Sequence, residues 1–183
     1  MSETPKVESV KRVYEGRLLK VDLERIRNPA GNALDLEIIR HPGASAVLPV
    51  LEEPGKSPLV LLLKQFRHAA GQTMWEIPAG VLEPGESARQ CAIRELKEEA
   101  GATAGKVEQL TSIFTTPGFT DEVIHLFLAT ELSMGTTDHQ HDEFIEVVPT
   151  RFDVALDMVR EGTITDGKTI ATLLFAHSFI MRP

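Results

Sequence analysis

Apolar and polar positions fall into short blocks whose period changes along the chain. Between 7 and 41, β-formers gather at Val10, Val13 and Tyr14, then at 18–23 and 34–39, with Asn28-Pro29-Ala30-Gly31-Asn32 as a turn. This text predicts strand, turn, strand. Isolated hairpins are marginal in water, so a sheet of roughly 40 residues is expected to pack on something else. After Pro42-Gly43, apolar runs at 46–51 and 59–63 flank the turn Pro54-Gly55-Lys56-Ser57-Pro58 and read as central strands. Residues 75–78 form a brief extended piece, because Ile77 precedes a proline and is pushed out of the helical region. Helical periodicity covers 87–100 and stops at Gly101, a position for a left-handed C-cap. Strands follow at 107–114 and 123–132, then a polar loop over 133–142, a strand near 144–148, and helices over 152–160 and 168–180. The elements lack the regular βαβ alternation of a doubly wound fold. A mixed β-sheet flanked by a few helices, an α/β (α+β) class, is expected.

Composition narrows the function classes. A chain of 183 residues holds one full domain and a small appendage at about 100–200 residues per domain. The division expected is an N-terminal antiparallel β segment over 1–43 and a main domain over 44–183. The formal net charge of −8 is the wrong sign for a groove that neutralises phosphate polyanions, so nucleic acid is not an expected partner. Met1-Ser2-Glu3-Thr4-Pro5 starts no basic-then-apolar leader, and no run approaches the ~18 apolar residues of a membrane span. A cytoplasmic protein with no membrane partner is expected. The single cysteine, Cys91, excludes an internal disulfide and a multi-thiol zinc site. No GxGxxG or Walker loop is present, which removes dinucleotide redox chemistry and P-loop hydrolysis.

The informative stretch runs from Gly80 through Glu83-Pro84-Gly85-Glu86-Ser87 into Arg94-Glu95-Leu96-Lys97-Glu98-Glu99-Ala100-Gly101. At about 100° per residue, Glu95 at 0° puts Glu98 near 300° and Glu99 near 40°, on one face. Ile93, Leu96 and Ala100 fall between about 100° and 160°. The expectation is a helix buried along one side and densely anionic along another. That arrangement is strained: like charges at these spacings repel, and Glu98 and Glu99 lie at the end where the macrodipole disfavours negative charge. Hard divalent cations would remove the strain, and an oxygen-only donor set selects magnesium or manganese. A solvated acidic face is the bland alternative.

The spacing of these residues resembles the Nudix hydrolase signature GX5EX7REUXEEXGU. It spans 23 consecutive positions, Gly80 to Ala102, and all nine specified sites are filled. The resemblance implies a Nudix fold, an αβα sandwich on a mixed β-sheet, and Mg2+- or Mn2+-assisted hydrolysis of a nucleoside diphosphate linked to another moiety. By the same resemblance Glu95 and Glu99 are principal metal ligands, Glu98 a further ligand or water-orienting carboxylate, and Glu86 a support of the metal cluster. The Ala79 carbonyl would face a metal, and Arg94 would orient a neighbouring glutamate.

Flanking text is similar to the ADP-ribose and nucleoside diphosphate sugar pyrophosphatase branch. The resemblance rests on Lys64-Gln65-Phe66-Arg67, Trp75-Glu76-Ile77-Pro78-Ala79-Gly80, and Pro117 within Thr116-Pro117-Gly118-Phe119-Thr120-Asp121-Glu122. The β-rich leader is also typical of that branch, where two subunits exchange these strands, which implies a homodimer. Arg67 is a candidate fork for a phosphate oxygen or a surface charge after a strand. Glu76 is a candidate acceptor of substrate hydroxyls or an exposed strand residue, and Glu122 a candidate substrate carboxylate or a turn stabiliser. Trp75, Tyr14 and Phe119 are expected to serve the core rather than stack on a base. The loop Asp138-His139-Gln140-His141-Asp142-Glu143 would supply a mobile carboxylate as metal ligand or general base, Glu143 first and Asp142 second, ahead of His139 and His141. Residues 162–169 resemble the family's approach to its last helix and receive no assigned chemistry. The function implied is cleavage of ADP-ribose or an ADP-sugar to AMP and a sugar phosphate. The alternatives are hydrolysis of another nucleotide sugar such as GDP-mannose, or a non-catalytic nucleotide-sugar sensor.

Overall fold

The computed structural model describes residues 4–52, 55–137 and 144–181. Its chain divides into two compact units, Met1–Gly43 with Phe114–Val123, and Ala44–Ile113 with Ile124–Pro183. In the first unit β1 (Lys6–Glu15), β2 (Lys20–Arg27) and β3 (Ala33–Arg40) form an antiparallel sheet in the order β1-β2-β3. Leu18 and Leu19 fall in the turn before β2 rather than in a strand, with Gly16 N–H donating to the Leu19 carbonyl at 2.8 Å. Charge pairing holds the middle of this sheet: Asp22 and Glu24 are buried on β2, and Arg12 and Arg40 reach them from β1 and β3. The Arg12 hydrogen bond keeps the Asp22 carboxyl below its usual range despite partial desolvation.

The second unit is built on a seven-stranded mixed sheet. Its path is β10 (Ile145–Arg151), β5 (Leu59–Arg67), β4 (Ala44–Leu51), β9 (Val123–Met134), β8 (Ala102–Phe114). The short strands β6 (Gln72–Glu76) and β7 (Ala79–Val81) pair with β5 and β4. β4 runs parallel to β9, from Ala44↔Ile124 to Pro49↔Ala129, and antiparallel to β5 and β7.

The apolar runs are continuous because these strands are covered on both faces. Even positions on β4 and β5, including Ala46, Leu48, Val60 and Leu62, join Phe152, Ala155 and Leu173 from α2 (Phe152–Arg160) and α3 (Gly167–Phe175). Odd positions Val47 and Leu61 join Ala92, Leu96 and Ala100 from α1 (Ala88–Ala100). Alternation of side chains across a strand thus produces the three-layer αβα sandwich.

Two expectations need correction, and one short strand has no counterpart in the sequence pattern. The closing helix over 168–180 is α3 followed by a π-helical turn, Ala176–Ile180. β7, three residues long, carries too little sequence for any period to show. Tyr14 and Phe119 are exposed, whereas Phe127 and Phe152 are buried and Trp75 packs half-buried against the α2/α3 core. Among the described residues no helix is long and apolar enough to cross a membrane.

Candidate active site

α1 begins at Ser87, whose hydroxyl accepts from Gln90 N–H while the Gln90 side chain accepts from Ser87 N–H, a reciprocal capping box. It ends at Gly101, at φ 61°, in the left-handed cap that the sequence predicts. The buried residues of α1 are Cys91, Ala92, Glu95, Leu96, Glu99 and Ala100. On the wheel they occupy an arc from about 320° through 0° to about 140°. Glu95 and Glu99 therefore lie inside the packed face, not on a separate anionic side. Ile93, expected in the apolar stripe, is exposed. The reason is the neighbour: β7 lies against this part of α1 and meets the two carboxylates with main chain.

Two contacts define that meeting. Ala79 N–H donates to Glu99 Oε2 at 2.8 Å. Gly80 presses on Glu95 so closely that a Cβ there would come within 1.6 Å of Oε1. Glu95 is 8% and Glu99 4% exposed, although burial of a carboxylate is costly without partners. Cys91 fills the space beside them, its thiol facing the Gly80 carbonyl at 3.4 Å, and burial pushes its pKa up to about 11. It serves as inert filler.

Arg94 gathers the other acids. Nε and Nη2 donate to Glu86 at 2.9 and 3.0 Å, and Nη1 to Glu95 at 2.5 Å and Glu98 at 3.3 Å. The two-point bond to Glu86 holds that carboxyl below its usual range against a smaller opposing effect of burial, and raises Arg94 itself. The Glu83 N–H, 3.0 Å from Glu86 Oε2, closes the turn that carries Glu86.

The donor set suits a hard divalent cation. It is all oxygen, and the Gly80 cradle leaves room for the Glu95 carboxylate where any side chain would displace it. Among the described residues no three acidic, histidine or cysteine side chains are gathered tightly enough to chelate an ion unaided. Magnesium does not require such a cage, since it binds through one or two carboxylates and completes its shell with water and substrate phosphate.

A second cluster lies around Glu76. Arg67 grips it with both arms, Nε to Oε1 at 2.7 Å and Nη2 to Oε2 at 2.9 Å, and Lys168 Nζ bonds Oε2 from α3. Glu76 is 2% exposed, so it is not the exposed strand residue that one reading of the sequence allowed. Burial raises its pKa, but Arg67 and then Lys168 outweigh burial and leave it lowered. Lys168 and its partner Asp166, 3.0 Å apart, were missed as site residues. A signal was available: lysine in the first turn of a helix opposes the macrodipole and calls for a carboxylate.

Glu122 belongs to the other unit. It accepts from the Thr115 hydroxyl at 2.8 Å and lies 3.4 Å from His41 Nδ1, closing the 115–122 loop. Asp142 and Glu143, with His139 and His141, lie outside the described residues.

Comparison with known proteins identifies the family. The NUDIX domain model matches residues 40–172. ADP-ribose pyrophosphatase of Bacillus subtilis is 42% identical over 159 residues, 86% of this chain and 84% of that protein. Methanol dehydrogenase activator of Bacillus methanolicus is 36% identical over 89% of this chain and 87% of its own length. GDP-mannose pyrophosphatase of Escherichia coli O139:H28 is 34% identical over 79% and 82%. Among solved structures, one described as an ADP compounds hydrolase superposes with a TM-score of 0.83 at 20% identity, covering 96% of this chain and 94% of that one, a likeness of fold. With its signature carboxylates set against β7 and its family model covering most of the sequence, the chain belongs to the Nudix family and is a Nudix pyrophosphohydrolase.

Proposed function

We propose that the protein cleaves the pyrophosphate of ADP-ribose or a related ADP-sugar into AMP and a sugar phosphate, with Mg2+ or Mn2+ held against Glu95 and Glu99. The observation that carries this reading is the burial of those two glutamates in the packed face of α1, each fitted to the backbone of 79–80. A divalent cation held by Glu95 and Glu99 would offset the charge of the diphosphate and lower the pKa of a bound water. Glu98, its side chain 33% exposed, stands at the rim of the same face for a further cation or the attacking water. Glu86 acts through Arg94, and the Ala79 carbonyl adds a main-chain oxygen. Glu143, or failing it Asp142, takes the proton as general base.

Arg67 and Glu76 act as a unit. Glu76 fixes the plane of the guanidinium, and the Arg67 side chain, still 40% exposed, offers its outer edge to a phosphate oxygen. The β1–β3 sheet exposes Val7, Val10, Val13 and Tyr14, and a row of apolar side chains on one strand is expected to be covered. Its occupant in this proposal is the same strand set of a second copy, giving a cytoplasmic homodimer.

The test is a panel of ADP-ribose, ADP-glucose, GDP-mannose and diadenosine polyphosphates, each with and without Mg2+, read as kcat/KM and AMP release. Metal-dependent AMP release with ADP-ribose preferred is the expected outcome. Preference for GDP-mannose would transfer the activity to the other nucleotide sugar, and binding without turnover would establish the sensor instead.

A further inference from the structure

The N-terminal turn of α3 grips the last residue of β6 and the residue that follows it. Lys168 Nζ bonds the Glu76 carboxylate, and the Thr169 hydroxyl accepts from Ile77 N–H at 2.9 Å. The same hydroxyl donates to Asp166 Oδ2 at 2.6 Å, and Asp166 also caps the helix through Thr169 N–H at 3.0 Å. Thr169 is fully buried, so its hydroxyl is a fixed relay between the α3 cap and the backbone of the connection. Two residues beyond Ile77, Ala79 N–H meets Glu99, and Gly80 bears on Glu95. Pro78 stands between these contacts, and its fixed φ limits how far the short segment can flex independently at its two ends.

We infer that Lys168 and Thr169 are positioning residues for the cation-binding carboxylates: by anchoring Glu76 and Ile77 they set where Ala79 and Gly80 hold Glu99 and Glu95. The inference rests on the proposed role of Glu95 and Glu99. Neither Lys168 nor Thr169 touches those carboxylates in this mechanism. They act through the five residues 76–80, as partners that orient metal ligands without ligating.

The experiment is Mn2+ titration of the full chain, followed by the electron paramagnetic resonance signal of free Mn2+, alongside thermal melting and Mg2+-dependent kinetics. The variants are Thr169→Val, Thr169→Ser, Lys168→Met, Lys168→Arg and Glu99→Gln. Thr169→Val and Lys168→Met are expected to weaken Mn2+ binding by roughly 10- to 100-fold, with kcat falling more than KM changes. Thr169→Ser, which keeps the relay, and Lys168→Arg, which keeps the charge, recover most of the affinity. Lowered melting temperatures with Mn2+ affinity unchanged at a temperature where every variant is folded would overturn the inference. If Thr169→Val does not fold, Lys168→Met and its arginine counterpart carry the same comparison. Wild-type Mn2+ binding that Glu99→Gln leaves intact would overturn the underlying site instead, so the two failures are told apart.

Discussion

Gly80 stands where a methyl group would fall within 1.6 Å of the Glu95 carboxylate. The glycine is required for close approach rather than for an unusual backbone angle, since its φ is not among the positive ones. Gly80→Ala is therefore expected to displace Glu95 while leaving α1 helical. Mn2+ affinity should fall by roughly 10- to 100-fold with circular dichroism unchanged. Wild-type affinity in this variant would show that Glu95 is not positioned by β7.

Glu99→Gln separates chemistry from folding. The amide oxygen can still accept from Ala79 N–H, and loss of a negative charge relieves repulsion from Glu95, one turn away. We expect kcat to drop at least ~100-fold, the scale of a lost charge-stabilising group, with a melting temperature within a few degrees of wild type. Full activity in a normally melting variant would count against the assignment.

Arg94 pairs with three carboxylates at once. Arg94→Gln leaves Glu86, Glu95 and Glu98 facing one another, at a cost of about 1–3 kcal/mol. Because stabilisation by a ligand grows with its affinity for the folded state, and losing the residue that orients the glutamates weakens metal binding, added Mg2+ should raise the melting temperature of the variant less than that of the wild type. Parallel thermal scans with Mg2+ and with a chelator measure this difference.

Glu76 contributes to the acid dependence of stability. Its pKa in the folded protein is below the usual 4.5, since Arg67 and Lys168 together outweigh burial. The stabilisation is thus fully present above about pH 4.5 and is lost as pH falls through the folded value. Denaturant unfolding between pH 6 and 3 should show a shallower acid decline in Glu76→Gln than in wild type. Identical slopes would mean that the Arg67–Glu76–Lys168 pairing does not persist in solution.

Sedimentation at micromolar concentration should give twice the 20.2 kDa chain mass. A single species at the chain mass would reject pairing through the β1–β3 sheet.

Much of the candidate site was legible because its proposed ligands sit on one helix, where spacing converts directly into angle: Glu95, Glu98 and Glu99 share a face by arithmetic alone. What spacing misjudged was which face. The wheel has no knowledge of a neighbour, and only β7 makes the centre of the buried arc a place for carboxylates. Arg67 and Glu76 stood out within their motifs, yet their mutual two-point bond depends on the antiparallel register of β5 and β6, which pairs Leu63 with Glu76 and Arg67 with Gln72.

The sequence by itself determined the chemistry on offer: an oxygen-only set of glutamates, the signature spacing that ties it to α1, the left-handed stop at Gly101, and apolar runs that had to be covered on both faces. These are local properties, set by residue type and by the few residues on either side. Only the tertiary structure decided that Glu95 and Glu99 are buried against backbone, and that Glu76 is bonded to a lysine 92 positions away. Such pairings depend on the path of the folded chain, because contacts between distant residues follow from strand order and layer packing, to which no short window of sequence has access.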